Sequence, residues 1–209
     1  MKITSIKSHV LRYELEEELG YSQQYYKYRT THLVEVQTDE GLTGWGECFG
    51  PGNIALANKF IVEKVIQPLV VGEDPINKEF IWHKVYNLLR DSGQKGMPIQ
   101  ALSGVDIALW DILGKKTNTP LYQLIGGKCN DQIPVYGYGM MLQKKTTSEL
   151  VDLFKEEAKQ IKSKNFKAMK MKVGLGPTED LKLVRSVREV VGKDFKLMVD
   201  ANHAYNLND

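Results

Sequence analysis

The chain has 209 residues, of which 42% are hydrophobic and 26% charged. This balance is typical of a globular protein that buries a sizeable core. Lys and Arg number 28 against 26 Asp and Glu, and the net charge of +2 is too small to favour nucleic acid or an anionic membrane as a partner. The composition leaves a small-molecule role open.

The sequence shows little sign of a targeting signal or of cysteines placed for an exported protein. No apolar run approaches the roughly 20 residues that a membrane-spanning helix needs, and the first residues lack the basic and apolar stretches of a secretory signal. Cys48 and Cys129 are the only cysteines and lie far apart. This spacing predicts neither a disulfide framework nor a cysteine metal site, and the expected location is the cytoplasm.

The first part of the chain has strands followed by helices. Residues 2–15 alternate as a strand, and 31–47 contain two strand-like runs around an Asp-Glu-Gly turn. Helical spacing of apolar residues follows at 54–69, 78–89 and 98–116. The order predicts an α+β layer that begins with a small antiparallel meander.

After Gly126-Gly127 the pattern changes to alternating strands and helices, which predicts a parallel sheet with helical crossovers. The predicted strands are 133–138, 167–173 and 195–200, and the predicted helices are 146–162 and 178–191. We place the domain boundary so that 1–127 and 128–209 form separate domains. Three strands alone do not distinguish a doubly wound sheet from a (β/α)8 barrel.

Two lysines in the strand Ala168-Met-Lys-Met-Lys172 are candidates for chemistry. Side chains alternate across a strand, so Lys170 and Lys172 project to the same face. In a barrel interior, two neighbouring ammonium groups disfavour the charged form, which lowers a lysine pKa toward the range of a general base. The alternative is an exposed edge strand that carries lysine for solubility.

Asp200 ends the next apolar run, at the position where barrel enzymes place catalytic groups. A carboxylate there is a suitable ligand for a hard cation such as Mg2+. Asn202 follows and can orient a ligand or substrate, and His203 is an acid–base candidate beside it. Taken singly, an Asp at a strand end is more often a cap, and His203 more often a plain loop residue.

Two segments of the first domain read as loops. One spans 20–26 and is rich in Tyr, and the other spans 49–53. Ordinary surface loops and a lid over a neighbouring site are both open interpretations.

One long motif resembles a known family. The segment Ala101-Leu-Ser-Gly-Val-Asp-Ile-Ala-Leu-Trp-Asp111-Ile-Leu-Gly-Lys115 is similar to the helix signature of the mandelate racemase and muconate lactonizing group of the enolase superfamily. The order of the segments around it also matches: Thr-Asp-Glu-Gly-Leu-Thr-Gly-Trp-Gly-Glu, then Lys-Met-Lys, then Val-Asp-Ala-Asn. The resemblance covers residues 1 to about 206.

The resemblance implies an α+β capping domain followed by the first strands and helices of a (β/α)8 TIM-like barrel that is incomplete in this chain. It implies a Mg2+-dependent enzyme that removes the α-proton of a small carboxylate substrate, and a homo-oligomer at full length. On the matching positions, Lys172 is the expected base, Lys170 its electrostatic neighbour and Asp200 a metal ligand. The expected contacts to substrate or to a ligand of the metal are Asn202, His203, Tyr21, Tyr25, Tyr26, Phe49 and Asn53.

Several outcomes of that chemistry stay open. Dehydration of a hydroxy or sugar acid is the first expectation, and a racemase or epimerase is the alternative, with cycloisomerisation less favoured. A closed barrel needs eight strands, whereas three are predicted here. We therefore expect a fragment of a longer enzyme, inactive as it stands, and the remaining alternative is a non-catalytic assembly or binding module.

Overall fold

The computed structural model describes residues 1–209 and separates into two compact units. The first unit comprises Met1–Tyr13 and Tyr28–Cys129, and the second comprises Glu14–Lys27 and Asn130–Asp209. The main chain thus passes between units two residues after the boundary expected at 127–128. The segment Glu14–Lys27 is assigned to the second unit, which the sequence pattern did not indicate.

Six strands and seven α-helices are formed. The strands are β1 (Ile3–Tyr21), β2 (Gln24–Thr38), β3 (Thr43–Cys48), β4 (Gly137–Tyr138), β5 (Ala168–Lys172) and β6 (Lys196–Asp200). The α-helices are α1 (Ile54–Phe60), α2 (Gln67–Val70), α3 (Lys78–Leu89), α4 (Met97–Thr117), α5 (Leu121–Leu124), α6 (Thr147–Ser163) and α7 (Pro177–Val191), with a π-helical segment at Ile61–Ile66 and a 3-10 turn at Arg90–Ser92. No helix has the length and apolar character that crossing a membrane requires.

Strands β1, β2 and β3 form a sheet in that order, with β2 and β3 antiparallel, and residues 3–13, 28–38 and 43–48 of these strands belong to the first unit. Helix α4 lies directly on β3, and glycines at the contact permit the approach. A Cβ added at Gly46 would stand 2.0 Å from the carbonyl oxygen of Gly104, and one added at Gly104 would stand 2.3 Å from Cys48 Sγ. Real Cβ atoms do not approach this closely, so backbone packs on backbone here.

Helix side chains cap one outer edge of this sheet. The backbone N–H of Ile6 donates to Gln67 Oε1 at 3.2 Å, and that of Ser8 donates to Glu63 Oε1 at 3.1 Å. Lys59 Nζ donates to the Ser8 carbonyl at 3.5 Å. Positions 59, 63 and 67 are spaced by four, so one helical face supplies all three groups.

The opposite edge is capped in the same way from α4. The N–H of Trp45 donates to Asp111 Oδ2 at 2.8 Å, and Lys115 Nζ donates to the Thr43 carbonyl at 2.7 Å. Asp111 and Lys115 also form an ion pair at 2.7 Å. Edge groups that would otherwise seek water or another strand are therefore satisfied within the chain.

The second unit has a parallel sheet in the order β4-β5-β6. Met169 and Met171 are fully buried in the same apolar cluster as residues of α6 and α7. Helix α6 begins at a capping box, in which Thr146 and Glu149 hydrogen-bond each other's backbone N–H. The alternation of β5 consequently sends Lys170 and Lys172 to the face opposite the helices.

The expected loop at 20–26 is wrong, because β1 and β2 continue through it and only Ser22 and Gln23 form the turn. Two backbone hydrogen bonds join Gly20 to Leu142, at 2.7 and 3.1 Å. Tyrosines favour strands over loops, and the contact with Leu142 is too distant in sequence for a local pattern to reveal. The strand expected at 133–138 is also wrong in extent, because only its last two residues pair with β5.

Gly104→Ala tests the close packing of α4 on β3. We expect the free energy of unfolding to fall by about 1–3 kcal/mol, because the new methyl group overlaps Cys48 and forces the helix away. Gly114→Ala in the same helix is the control, since its nearest contact is 3.1 Å and alanine favours helix by about 1 kcal/mol. Urea unfolding of both variants measures the difference, and equal stabilities would contradict the packing argument.

Candidate active site

The side chain of Lys172 lies at the centre of a polar cluster at the ends of β5 and β6. Its Nζ donates to Asp200 Oδ2 at 2.8 Å and to Asn202 Oδ1 at 2.7 Å. The parallel register places Lys172 directly opposite Asp200. Only 7% of the Lys172 side chain is exposed, and β5 is the central strand, so this is not a solubilising lysine on an edge.

Lys170 completes the charge arrangement. Its Nζ lies 3.2 Å from the same Asp200 Oδ2, while the Asn202 N–H donates to Asp200 Oδ1 at 3.1 Å. The hydrogen bond from Lys172, followed by those from Asn202 and Lys170, outweighs burial and lowers the pKa of Asp200 to about 2. The carboxylate is therefore ionised throughout the physiological range.

The expected depression of the lysine pKa is wrong for Lys170. Its pKa is raised, first by the hydrogen bond to Asp200. The expectation counted the repulsion between two ammonium groups and omitted the carboxylate that lies against both. An opposite charge at contact distance favours the protonated amine more than the second lysine disfavours it.

Aromatic rings lie around the two ammonium groups. Lys170 Nζ lies 4.9 Å from the ring centroid of Tyr138 and 5.7 Å from that of Tyr136. Lys172 Nζ lies 5.9 Å from the ring of Tyr21, in the segment 14–27 of the second unit. Sequence reasoning missed Tyr136 and Tyr138, although their spacing of two puts them on one face of a strand. Cation–π attraction at these distances stabilises the charged lysines.

The other tyrosines of the hairpin have different surroundings. Tyr25 packs against the apolar cluster of the second unit, and its ring lies 5.9 Å from Lys144 Nζ. Tyr26 is half-buried in β2. Of the three tyrosines expected at the site, Tyr21 lies within contact range of Lys172.

Of the remaining expected residues, Asn202 belongs to the cluster and the other three are less closely tied to it. Asn202 contacts Lys172 directly, whereas the side chain of His203 is exposed and only its carbonyl is engaged, by Gln23 Nε2 at 3.1 Å. Phe49 and Asn53 belong to the first unit, where both are exposed and Asn53 precedes α1. Their expected role at the substrate stays a prediction.

Asp200 fits the role of one oxygen ligand for a hard cation. Its carboxylate is ionised and 27% of the side chain is exposed, but both oxygens already accept hydrogen bonds. Residues 1–209 contain no group of three His, Cys, Asp or Glu side chains arranged to hold a metal ion. Mg2+ prefers near-octahedral oxygen coordination and usually keeps several waters, so a carboxylate of this kind suits one position of such a site.

An α+β domain followed by the first strands and helices of a parallel sheet is typical of proteins that combine a capping domain with a barrel domain. Residues 21–126 match the profile of the mandelate racemase / muconate lactonizing enzyme N-terminal domain, and residues 153–209 match the enolase C-terminal domain-like profile. The chain belongs to the mandelate racemase and muconate lactonizing family of the enolase superfamily.

Relatives in the family carry several activities. D-galactarolactone cycloisomerase of Agrobacterium fabrum is 38% identical over 209 residues, covering 100% of this chain and 54% of that protein. Arabinonate dehydratase of Saccharolobus solfataricus is 38% identical over 177 residues, covering 84% and 46%. A racemase from Streptomyces coelicolor, solved with bound magnesium, is 31% identical with a TM-score of 0.88, covering 99% and 57%. The chain spans about half the length of these relatives.

Asp200→Asn tests the electrostatic role of the carboxylate. We expect it to lower the free energy of unfolding by about 1–3 kcal/mol, because two partly buried ammonium groups lose their counter-charge. Lys172→Met in the same background should restore part of that loss. Urea unfolding with a metal chelator present measures the cycle.

Asp194→Asn is the matched control, because that aspartate is exposed just before β6. It should leave stability within about 0.5 kcal/mol. An unchanged free energy of unfolding in Asp200→Asn would contradict the counter-charge role. So would a double variant whose loss of stability exceeds the sum of the losses in the two single variants.

Proposed function

We propose that this chain is part of a Mg2+-dependent enzyme that abstracts the α-proton of a carboxylate substrate, most simply a hydroxy-acid or sugar-acid dehydratase. The observation that carries the proposal is Lys172, buried at a strand end and held between Asp200 and Asn202. Family membership and the range of activities among the relatives support it.

Positive charge is the chemical requirement of such a reaction. A proton beside a carboxylate is weakly acidic, and its removal adds a second negative charge to the substrate. A divalent cation held at Asp200 would supply positive charge to the substrate. Lys172 is then the proposed base, with Lys170 as the neighbouring cation.

Lys172 is suited to this role by its position. The amine is directed by Asn202 Oδ1 at 2.7 Å and is screened from bulk water by burial. A held amine approaches a bound substrate in one orientation, which lowers the entropic part of the barrier. Lys170 is more exposed, at 25% of its side chain, and fits better as a fixed charge than as the base.

The relatives and the polar groups near the lysines support a sugar acid or a related carboxylate as the substrate class. Arabinonate and galactarolactone are sugar acids or their derivatives, and Asn202, Tyr21 and His203 offer the amide, hydroxyl and imidazole groups that bind substrate hydroxyls. Racemisation is the second candidate, favoured by the racemase that superposes with a TM-score of 0.88. The step after abstraction separates the two candidates and requires a further acid or base.

Lys172→Ala tests the base in the complete protein that contains these residues. We expect exchange of the substrate α-proton with deuterated water to be lost, while Mg2+ binding is largely retained, because the metal ligand is Asp200. Proton NMR of arabinonate and galactarolactone incubations measures the exchange. Lys196→Ala, an exposed lysine on β6, is the control and should exchange at the wild-type rate.

Exchange by Lys172→Ala at the wild-type rate would exclude Lys172 as the obligatory base. Partial exchange would instead indicate a second base on the opposite face of the substrate, as in a racemase. Exchange lost in both variants would point to a general loss of the fold and not to the chemistry of one amine.

The 209-residue chain by itself is proposed to be inactive. Mg2+ titration by calorimetry should show no saturable micromolar site, because one carboxylate must give up two ammonium partners to bind a cation that needs several oxygen ligands. The complete protein is the control and should bind stoichiometrically. Tight binding with turnover by the 209-residue chain would overturn the proposal, and absence of both in the complete protein would favour a non-catalytic module.

A further inference from the structure

Asp180 is a buried carboxylate outside the lysine cluster. It lies in the first turn of α7, and 7% of the residue is exposed. Its Oδ2 accepts the N–H of Gly174 at 2.7 Å, and its Oδ1 accepts the N–H of Leu175 at 3.0 Å. The loop anchored by this carboxylate thus begins directly after Lys172-Val173.

The same carboxylate also holds the loop that follows β6. The hydroxyl of Tyr205 donates to Asp180 Oδ2. Burial, followed by this bond to Asp180, raises the pKa of Tyr205 to about 12, so the phenol remains a donor at neutral pH. Tyr205 lies three residues after Asn202, and Asp180 therefore joins the two loops that leave the candidate site.

The two loops also meet each other directly. The N–H of Val173 donates to the carbonyl of Asp200 at 3.2 Å. A Cβ placed on Gly174 would stand 2.9 Å from that of Ala204 and 2.5 Å from that of Ser22, at the tip of the hairpin. Ser22 Oγ further donates to the Ala201 carbonyl at 3.1 Å. Both loops consequently support the hairpin segment that carries Tyr21.

The backbone at Asn202 forms a tight turn that the anchor helps to hold. Its φ is 53°, in the left-handed region that asparagine enters more readily than other non-glycine residues, as a single residue in a turn. A conformation of this kind persists when its surroundings hold it. The hydrogen bond from the Asn202 N–H to Asp200 holds one end of the turn, and the hydrogen bond from Tyr205 to Asp180 holds the other.

We propose that Asp180 is a positioning residue, which acts through the loops after β5 and β6 to keep Asn202 and Asp200 against the amine of Lys172. Its importance for catalysis rests on the proposed function, whereas the positioning itself does not. Glu179, the adjacent acid in the same turn, pairs with Lys182 at 2.7 Å and contacts neither loop in this way. A general preference of helix N-termini for acids therefore does not account for the bonds of Asp180.

Two variants of the 209-residue chain separate the parts of this network. Asp180→Asn removes the charge and replaces one acceptor oxygen by a donor, which weakens the bonds to both loops. Tyr205→Phe removes only the bond to the second loop, and its residue is 39% exposed, so folding should survive. Glu179→Gln removes a charge from the same turn and is the matched control.

Two measurements report on the native state. Hydrogen exchange followed by mass spectrometry covers residues 173–176 and 201–209. Brief acetylation with acetic anhydride, analysed by peptide mass spectrometry, gives the reactivity of Lys172 relative to exposed Lys196 in the same molecule. This reactivity ratio depends on how firmly the amine of Lys172 is held between Asp200 and Asn202. A merely structural role of Asp180 would not change it.

In Tyr205→Phe we expect the hydrogen-exchange rate at 201–209 and the Lys172 reactivity ratio each to rise by about tenfold, because one hydrogen bond to a charged group is lost. The exchange rate at 173–176 should be nearly unchanged. In Asp180→Asn all three should rise, and in Glu179→Gln none. If Asp180→Asn fails to fold, Tyr205→Phe decides alone. A wild-type Lys172 ratio in folded Tyr205→Phe would overturn the proposal, whether or not the complete protein proves to be an enzyme.

Discussion

Two ammonium groups two residues apart on one strand face repel each other, and the site depends on a negative charge that offsets this repulsion. Asp200 on the neighbouring strand supplies that charge, with one oxygen in contact with both Lys170 and Lys172. The parallel register is what brings the charges together, because it sets Lys172 opposite Asp200. Helix packing on the other face of the sheet fixes that register, so the apolar core of the second unit and the polar cluster are two sides of one arrangement.

Much of this arrangement is predictable from local patterns. Alternation along a strand places Lys170 and Lys172 on one face, and the end of an apolar run places Asp200 at a strand end. These inferences need only neighbouring residues. The expected lowering of the pKa is wrong for Lys170, because that pKa depends on which charge across the sheet comes closest, and local sequence does not give that distance.

Contacts between segments far apart in sequence account for what local patterns did not reveal. Gly20 pairs with Leu142, and Tyr205 bonds Asp180, yet neither pair has a periodicity that marks it. Asp180 by itself reads as an ordinary acid at a helix start. The spacing of Tyr136 and Tyr138 places them on one face of a strand. It does not indicate that Lys170, on a different strand, lies beside them.

The capped edges of the first sheet restrict how copies of this chain associate. Another strand added beside β1 would have to displace Glu63 and Gln67 from the N–H groups of Ser8 and Ile6, and one added beside β3 would have to displace Asp111 from Trp45. Lengthening of this sheet from one molecule to the next is thereby disfavoured at these positions. Continuous intermolecular sheets, the starting point of fibrous aggregates, are therefore discouraged along this part of the molecule.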